Sequence, residues 1–130
     1  MAEFLSDTWV EELDAAVRAA HDLAVDPRLV VEQVVRHGDG TEAGYQVHFG
    51  PDGACVTPLG TAPADVVLVT DLDTAWALHQ GALRAQDAFA RSALKVRGRP
   101  EVLTGRTELF AAFERAVAPV RAGTTSVDAR

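Results

Sequence analysis

Four histidines are the side chains most able to bind a metal ion or to move a proton: His21, His37, His48 and His79. A helical zinc site usually carries two histidines four residues apart, a spacing that none of these shows. In the strand register expected below, His37 lies opposite Glu42 and His48 lies opposite Val31, so the two strand histidines are not direct partners. The sequence therefore predicts no metal site.

Cys55 and the pair Asp71 and Asp73 are the other candidates for chemistry. Cys55 would be a nucleophile if a histidine lay beside it, but its place on a valine-flanked strand favours a small buried hydrophobe. The two aspartates have the spacing of an acid–base pair, yet both fall where a helix begins, and there carboxylates stabilise the free amides. No nucleophile elbow, phosphate loop or dinucleotide fingerprint is present. The sequence thus predicts no catalytic residue and no cofactor, and leaves catalysis unsupported rather than excluded.

Composition narrows the class of partner. The chain has 130 residues, 48% of them hydrophobic and 24% charged, which is typical of one globular domain. A net charge of −7 with scattered basic residues argues against nucleic acid. No apolar run reaches the ~20 residues that span a bilayer, so we expect no stable membrane insertion. A single cysteine precludes an internal disulfide and fits a cytoplasmic location.

The first half of the chain predicts one helix followed by three antiparallel strands. Ser6 or Asp7 is suited to cap the helix. Its apolar stripe is Trp9, Leu13, Val17 and Ala20. Strands are predicted at 29–37, around the alternating Tyr45, Val47 and Phe49, and at 54–59. If Asp39-Gly40 and Asp52-Gly53 form two-residue turns, the register pairs Val34 with Tyr45, Val30 with Phe49, and Phe49 with Val56.

The second half predicts two further strands and the helices that cover the sheet. A buried strand at 66–69 leads into a helix capped by Thr70 or Asp71. A short helix follows at 85–91 and a strand at 94–98. Pro100 opens a last helical region, which Gly105 divides into a short turn and a longer helix. The stripe of that helix is Leu109, Phe110, Phe113 and Val117.

Large aromatic residues are concentrated in these late helices: Trp76, Phe89, Phe110 and Phe113. Each would serve equally well in an ordinary core. However, the helices are short and interrupted by glycine, and such helices can pack loosely over a sheet and leave a cavity.

The stretch 64–103 resembles the sterol carrier protein type two family. The shared pattern is an apolar strand ending in Thr70-Asp71, then Thr74, Leu78, Gly81, Leu83, Gln86, Ala88-Phe89 and the strand Leu94-Lys95-Val96-Arg97-Gly98. The preceding helix and strands follow in the same order, so the resemblance covers about residues 5–118. Ser92 stands where the family favours glycine, and Arg99-Pro100 replaces the more usual Gly-Asp or Gly-Asn.

The resemblance implies an α+β fold with a five-stranded, mostly antiparallel sheet, helices on one side and an apolar tunnel between the layers. It implies that residues 1–121 form a lipid-binding domain, followed by a flexible tail at 122–130. The expected ligand-binding residues are Tyr45, Val47, Phe49, Trp76, Phe89, Leu94, Val96, Leu109, Phe110 and Phe113.

Three functional hypotheses follow. The first is intracellular binding, and also transfer, of a lipid, sterol or fatty acyl conjugate by a protein that is not an enzyme. The second is a small enzyme of lipid metabolism or an accessory subunit of one, which would require His48, Cys55 or His79 to reach the cavity beside an acid. The third is an interaction module whose core is filled and which binds no ligand.

Overall fold

The computed structural model describes residues 3–80, 83, 85–103 and 105–124. Its helices are α1 (Asp7–Ala19), α2 (Leu72–His79), α3 (Ala85–Ala90) and α4 (Thr107–Gly123), with a 3₁₀ turn at Pro100–Leu103. Its strands are β1 (Leu29–Arg36), β2 (Glu42–Gly50), β3 (Gly53–Pro58), β4 (Val66–Asp71) and β5 (Leu94–Gly98).

The five strands form one sheet in the order β3-β2-β1-β4-β5. Three of its neighbouring pairs are antiparallel, and β1 and β4 run parallel. The helices lie on one face, which confirms the predicted fold class. The helix-facing side of the sheet carries Leu29, Val31, Gln33, Val35, Tyr45, Val47, Phe49, Ala54, Val56, Val66, Leu68, Thr70, Leu94 and Val96.

The predicted hairpin registers are wrong. The β1–β2 loop holds three residues, 38–40. The His37 amide donates to the Thr41 carbonyl and closes the loop, and Gly40 adopts a φ of +90°. Pairing therefore shifts by one: Leu29 lies opposite Phe49, Val31 opposite Val47 and Gln33 opposite Tyr45. A shift of one exchanges faces, so Val30 and Val34 point away from the helices.

The two strand histidines change partners for the same reason. His48 pairs with Val30 on β1, and Arg36, not His37, lies opposite Glu42. The second turn uses Pro51-Asp52, since Gly50 pairs with Gly53. Pairing there shifts by two, so Phe49 lies opposite Ala54 and the predicted face is kept.

Gln46 is the side chain that holds the connection from β3 to β4. This connection crosses the sheet on the face away from the helices. Gln46 is fully buried, and its amide donates to the Ala62 carbonyl at 2.6 Å and accepts from the Ala62 amide at 3.2 Å. The alternation of β2 would place Gln46 on a solvated face, but its side chain instead holds the β3–β4 connection against the sheet.

The predicted helix caps are confirmed. The Ser6 hydroxyl accepts from the Trp9 amide at 3.1 Å, and the Asp71 carboxylate accepts from the Thr74 amide at 2.7 Å. Ser92 adopts a φ of +60°, so it does occupy a turn position that suits glycine.

The Arg99-Pro100 departure from the family pattern has a local function. The Arg99 guanidinium pairs with Asp65 at 2.8 Å, and the Arg99 amide donates to the Asp65 carbonyl, which ties the end of β5 to the start of β4. The hydrogen bond from the Val30 amide, aided by Arg99, holds the pKa of the Asp65 carboxyl below its usual range. Pro100 then begins the 3₁₀ turn, and Gly105 separates that turn from α4, as predicted.

Candidate ligand site

The apolar layer is the name used here for the side chains between the helix-facing side of the sheet and helices α1, α2 and α4. Its buried part combines sheet residues such as Val47 and Phe49, which are 5% and 3% exposed, with Leu13 and Val17 of α1 and Val117 of α4. Burial on this scale is the main contribution to the stability of the fold. The layer is where the sequence places the ligand.

One aromatic group joins the sheet to α4. The ring of Phe49 lies 6.3 Å from that of Phe110 and 6.2 Å from that of Phe113, both edge-to-face. Leu109, one residue earlier on α4, is buried. Four of the predicted ligand-binding residues are therefore brought together here.

A second aromatic group surrounds Trp9 at another part of the same layer. The rings of Phe4 and Tyr45 lie 5.1 Å and 5.4 Å from Trp9, and Trp76 lies 5.2 Å from Phe4. Tyr45 and Trp76 thus share one cluster, apart from the aromatic contacts of Phe49. Leu94 and Val96 lie on the edge strand β5, on the same side of the sheet. Phe89 lies on α3, and its side chain is outside the described part of the structure.

Several side chains of the layer keep part of their surface exposed. Trp76, Phe110 and Phe113 are partly buried, although each packs against the fully buried core. Leu68 and Val96 on the sheet are partly buried as well.

Two open cavities border the layer. The larger, about 400 Å³, lies at the β2–β3 turn, and its lining includes Phe49, His48, Cys55 and Arg28. The smaller, about 320 Å³, lies between residues 22–25 and the start of α4, and Leu109 forms part of its wall. Each cavity reaches one of the predicted ligand-binding residues.

His79 lies in the layer; the sequence analysis named it only under the enzyme hypothesis and not among the expected ligand-binding residues. Its ring is 9% exposed and lies 5.0 Å from Phe4, 5.5 Å from Trp9 and 5.8 Å from Trp76. Burial, together with the positive charge of Arg121, lowers the pKa of His79 to about 4. The imidazole is therefore neutral at pH 7. His79 follows Trp76 by three residues, which places both on one side of α2. This spacing is the signal in the sequence that could have predicted His79 beside Trp76.

Arg121 was also missed, because α4 extends further than the apolar stripe suggested. The helix runs to Gly123, two residues past the predicted domain boundary at 121, while residues 125–130 lie outside the described residues. The side chain of Arg121 is 25% exposed and pairs with Glu114. Burial, and to a smaller extent Glu114, raises the pKa of Tyr45 to about 12, so its phenol is also neutral.

His48 and Cys55 lie opposite each other in the register, but on the face of the sheet away from the helices. His48 Nε2 lies 2.9 Å from the Thr57 hydroxyl and 3.2 Å from the Gln46 side-chain oxygen. Neither residue reaches the apolar layer, and His79 has no hydrogen-bonded acid among the described residues. The arrangement that the enzyme hypothesis requires is not formed by the residues described.

Within residues 3–80, 83, 85–103 and 105–124, no three His, Cys, Asp or Glu side chains lie close enough together to hold a metal ion. Across those same residues, every helix is too short or too polar to cross a bilayer.

Several solved structures with the same fold carry the names of sterol carrier proteins. A hypothetical protein from Thermus thermophilus, described as possibly a sterol carrier protein, is 19% identical with a TM-score of 0.65 and covers 91% of this chain and 90% of its own. Sterol carrier protein domain 2 of Helicoverpa armigera is 20% identical with a TM-score of 0.63, covering 87% and 91%. Palmitated SCP2L2 of Aedes aegypti is 19% identical with a TM-score of 0.57, covering 79% and 91%.

No protein-family model matches the chain, and no curated protein matches it. At this level of identity the likeness establishes the fold, which is that of the sterol carrier protein type two domain.

Proposed function

We propose that this protein binds an apolar molecule, a lipid, sterol or fatty acyl conjugate, in the apolar layer, and carries it through the cytoplasm without acting as an enzyme. The observation that supports it is the partial exposure of Trp76, Phe110 and Phe113, which pack against the buried core. Partly exposed aromatic side chains backed by a buried core are the surface that an aliphatic chain or ring system would cover.

The energetics support binding without any catalytic group. An aliphatic chain of about sixteen methylenes gains ~0.8 kcal/mol per buried CH₂, roughly 13 kcal/mol before the costs of ordering and of opening the layer. Discrimination between chain lengths would be weak, because one methylene changes affinity by only ~1–3 kcal/mol. The palmitated Aedes aegypti protein, which has the same fold, agrees with such a ligand.

Helix α4 is proposed as the element that moves to admit the ligand. The rings of Phe110 and Phe113 contact Phe49 of the sheet, and Pro119 interrupts the hydrogen bonds of the last turns of α4. A tunnel connecting the two aromatic groups would form as α4 moves outward.

The test is a titration of delipidated protein with fluorescent fatty acids and sterols, together with native mass spectrometry of freshly purified protein. We expect saturable binding and a co-purifying apolar molecule. Phe113→Arg should abolish binding while Ala118→Arg, on the exposed side of α4, should leave it intact. Absence of saturable binding to every probe would refute the proposal, and thermal melting identifies a variant that has simply unfolded.

A further inference from the structure

The two edge strands of the sheet, β3 and β5, differ in what lies beside them. Helix α1 packs along β3, and its Asp14 carboxylate accepts a hydrogen bond at 2.8 Å from the Val56 amide. Beyond β5 there is no further strand, and among the described residues the backbone of 94–98 makes hydrogen bonds with β4 alone. An edge strand whose outer amides and carbonyls lack partners is a template for another strand.

The side chains of β5 give its two faces opposite chemistry. Lys95 and Arg97 lie on the face of the sheet away from the helices, and both are exposed. Leu94 and Val96 lie on the helix-facing side, where Val96 packs against the core but is only partly buried. A strand added beyond β5 would therefore meet positive charge on one face and apolar surface on the other.

The two positive charges on β5 are not neutralised by their neighbours. The β4 residues opposite Lys95 and Arg97 are Val69 and Val67, which carry no charge. Within the described part of the chain, neither basic side chain forms an ion pair. In a chain of net charge −7, this edge is therefore a local excess of positive charge that an acidic partner would complement.

The same charges disfavour a second copy of this chain as the partner. Antiparallel pairing of two β5 strands about Val96 would set Lys95 of each copy opposite Arg97 of the other. Like charges directly opposite each other on paired strands are destabilising, and charged side chains on an edge strand discourage self-association in this way. The charges that oppose a second copy attract a strand of opposite charge.

We propose that β5 binds an extended segment of a partner protein in which acidic and apolar residues alternate. The segment adds a strand to the sheet. Its acidic side chains lie beside Lys95 and Arg97 on the exposed face, and its apolar side chains lie beside Leu94 and Val96 and extend the apolar layer. Hydrogen bonds between the two main chains supply the affinity, and the alternating side chains supply the specificity. This interaction goes beyond the proposed function and does not require the apolar ligand.

The test measures fluorescence anisotropy with three fluorescein-labelled hexapeptides. The first alternates glutamate and valine, the second alternates lysine and valine, and the third has three glutamates followed by three valines. The third peptide has the charge and composition of the first but cannot place its charges on one face of a strand. We expect saturable binding of the first peptide, about 10-fold or more tighter than that of either comparison peptide.

Charge reversal on β5 identifies the binding surface. Lys95→Glu combined with Arg97→Glu should weaken binding of the glutamate–valine peptide about 10-fold or more and should create binding of the lysine–valine peptide. The matched control combines Arg28→Glu, at the cavity by the β2–β3 turn, with Arg115→Glu on α4. It changes the net charge equally and should leave both affinities unchanged. Thermal melting verifies that each variant is folded.

Hydrogen exchange distinguishes an added strand from loose attraction between charges. The glutamate–valine peptide should slow exchange of the backbone amides of residues 94–98, because a paired edge is protected from water. Equal binding of the two glutamate peptides, an affinity unchanged by the charge reversal, or unprotected amides would overturn the inference, as would the absence of binding. A dimer of the native protein that dissociates on charge reversal would assign the edge to a second copy and also overturn it. None of these outcomes bears on binding of the apolar ligand.

Discussion

The imidazole of His79 gives a quantitative prediction about stability in mild acid. Burial among Phe4, Trp9 and Trp76, reinforced by Arg121, holds its pKa at about 4 in the folded protein, against an ordinary value of 6.5. The unfolded chain therefore binds a proton at a higher pH than the folded protein does. The resulting stability is complete above about pH 6.5 and is lost as the pH falls towards 4.

The magnitude follows from these two pKa values. Integrating the difference in proton binding from pH 7 to pH 4.5 gives a loss on the order of 2 kcal/mol in the free energy of unfolding from this one group. Carboxyl groups with a lowered pKa, such as Asp65, also reduce the free energy of unfolding at low pH. Their contribution is the same in a variant that lacks the imidazole, so the difference between the two proteins reports His79 alone.

The assay is urea unfolding at pH 7 and pH 4.5, followed by tryptophan fluorescence, for the native protein and His79→Phe. The native protein should lose on the order of 2 kcal/mol more than the variant over this interval. His21→Phe, which removes an exposed histidine, should behave as the native protein does. If His79→Phe shows the same loss as the native protein, His79 is hydrated or paired in the folded protein, and burial does not hold its pKa down.

Three further predictions concern the scaffold. Ser92→Gly should raise stability by about 0.5–1 kcal/mol in thermal melts, because it relieves a left-handed conformation at the cost of some chain entropy. Gln46→Leu should cost about 3 kcal/mol in urea, since it leaves the Ala62 amide and carbonyl unpaired, whereas an unchanged midpoint would show that water replaces the side chain. Thr124→Val removes the hydrogen-bond acceptor of Trp9 Nε1, so it should lower the free energy of unfolding by about 1 kcal/mol and speed hydrogen exchange in the last turn of α4. Exchange at the native rate would show that this hydrogen bond does not hold the end of the helix.

Local patterns predicted most of the elements of this fold. The caps at Ser6 and Asp71, the alternation in β2 and the division of the last helical region at Gly105 all reflect neighbouring residues, and the structure confirms them. The register of the β1–β2 hairpin depends on whether its loop holds two residues or three. Asp39-Gly40 suits a two-residue turn, but the chain forms a three-residue loop at 38–40 with Gly40 in the left-handed region, and this difference of one residue exchanges the faces of β1.

Long-range contacts were beyond the reach of such patterns. Gln46 alternates with apolar residues as a solvated side chain would, and only the path of the β3–β4 connection explains why it is buried. The predicted ligand-binding residues were chosen for size and apolarity. Those criteria selected Tyr45 and Trp76 but passed over His79, which lies against the same aromatic rings.

The missed Arg121 shows that a polar residue can continue the apolar stripe of a helix. Reading only apolar residues ends the stripe of α4 at Val117, whereas the four-residue spacing places Arg121 on the same side of the helix. A charged residue at a core-facing position loses hydration, and that loss must be offset by a partner. Glu114 offsets the charge, while Arg121 Nε, like His79 Nε2, has no hydrogen-bond partner among the described residues. A core serving stability alone would be better completed by an apolar residue at 121, so Arg121→Met should raise or preserve the melting temperature.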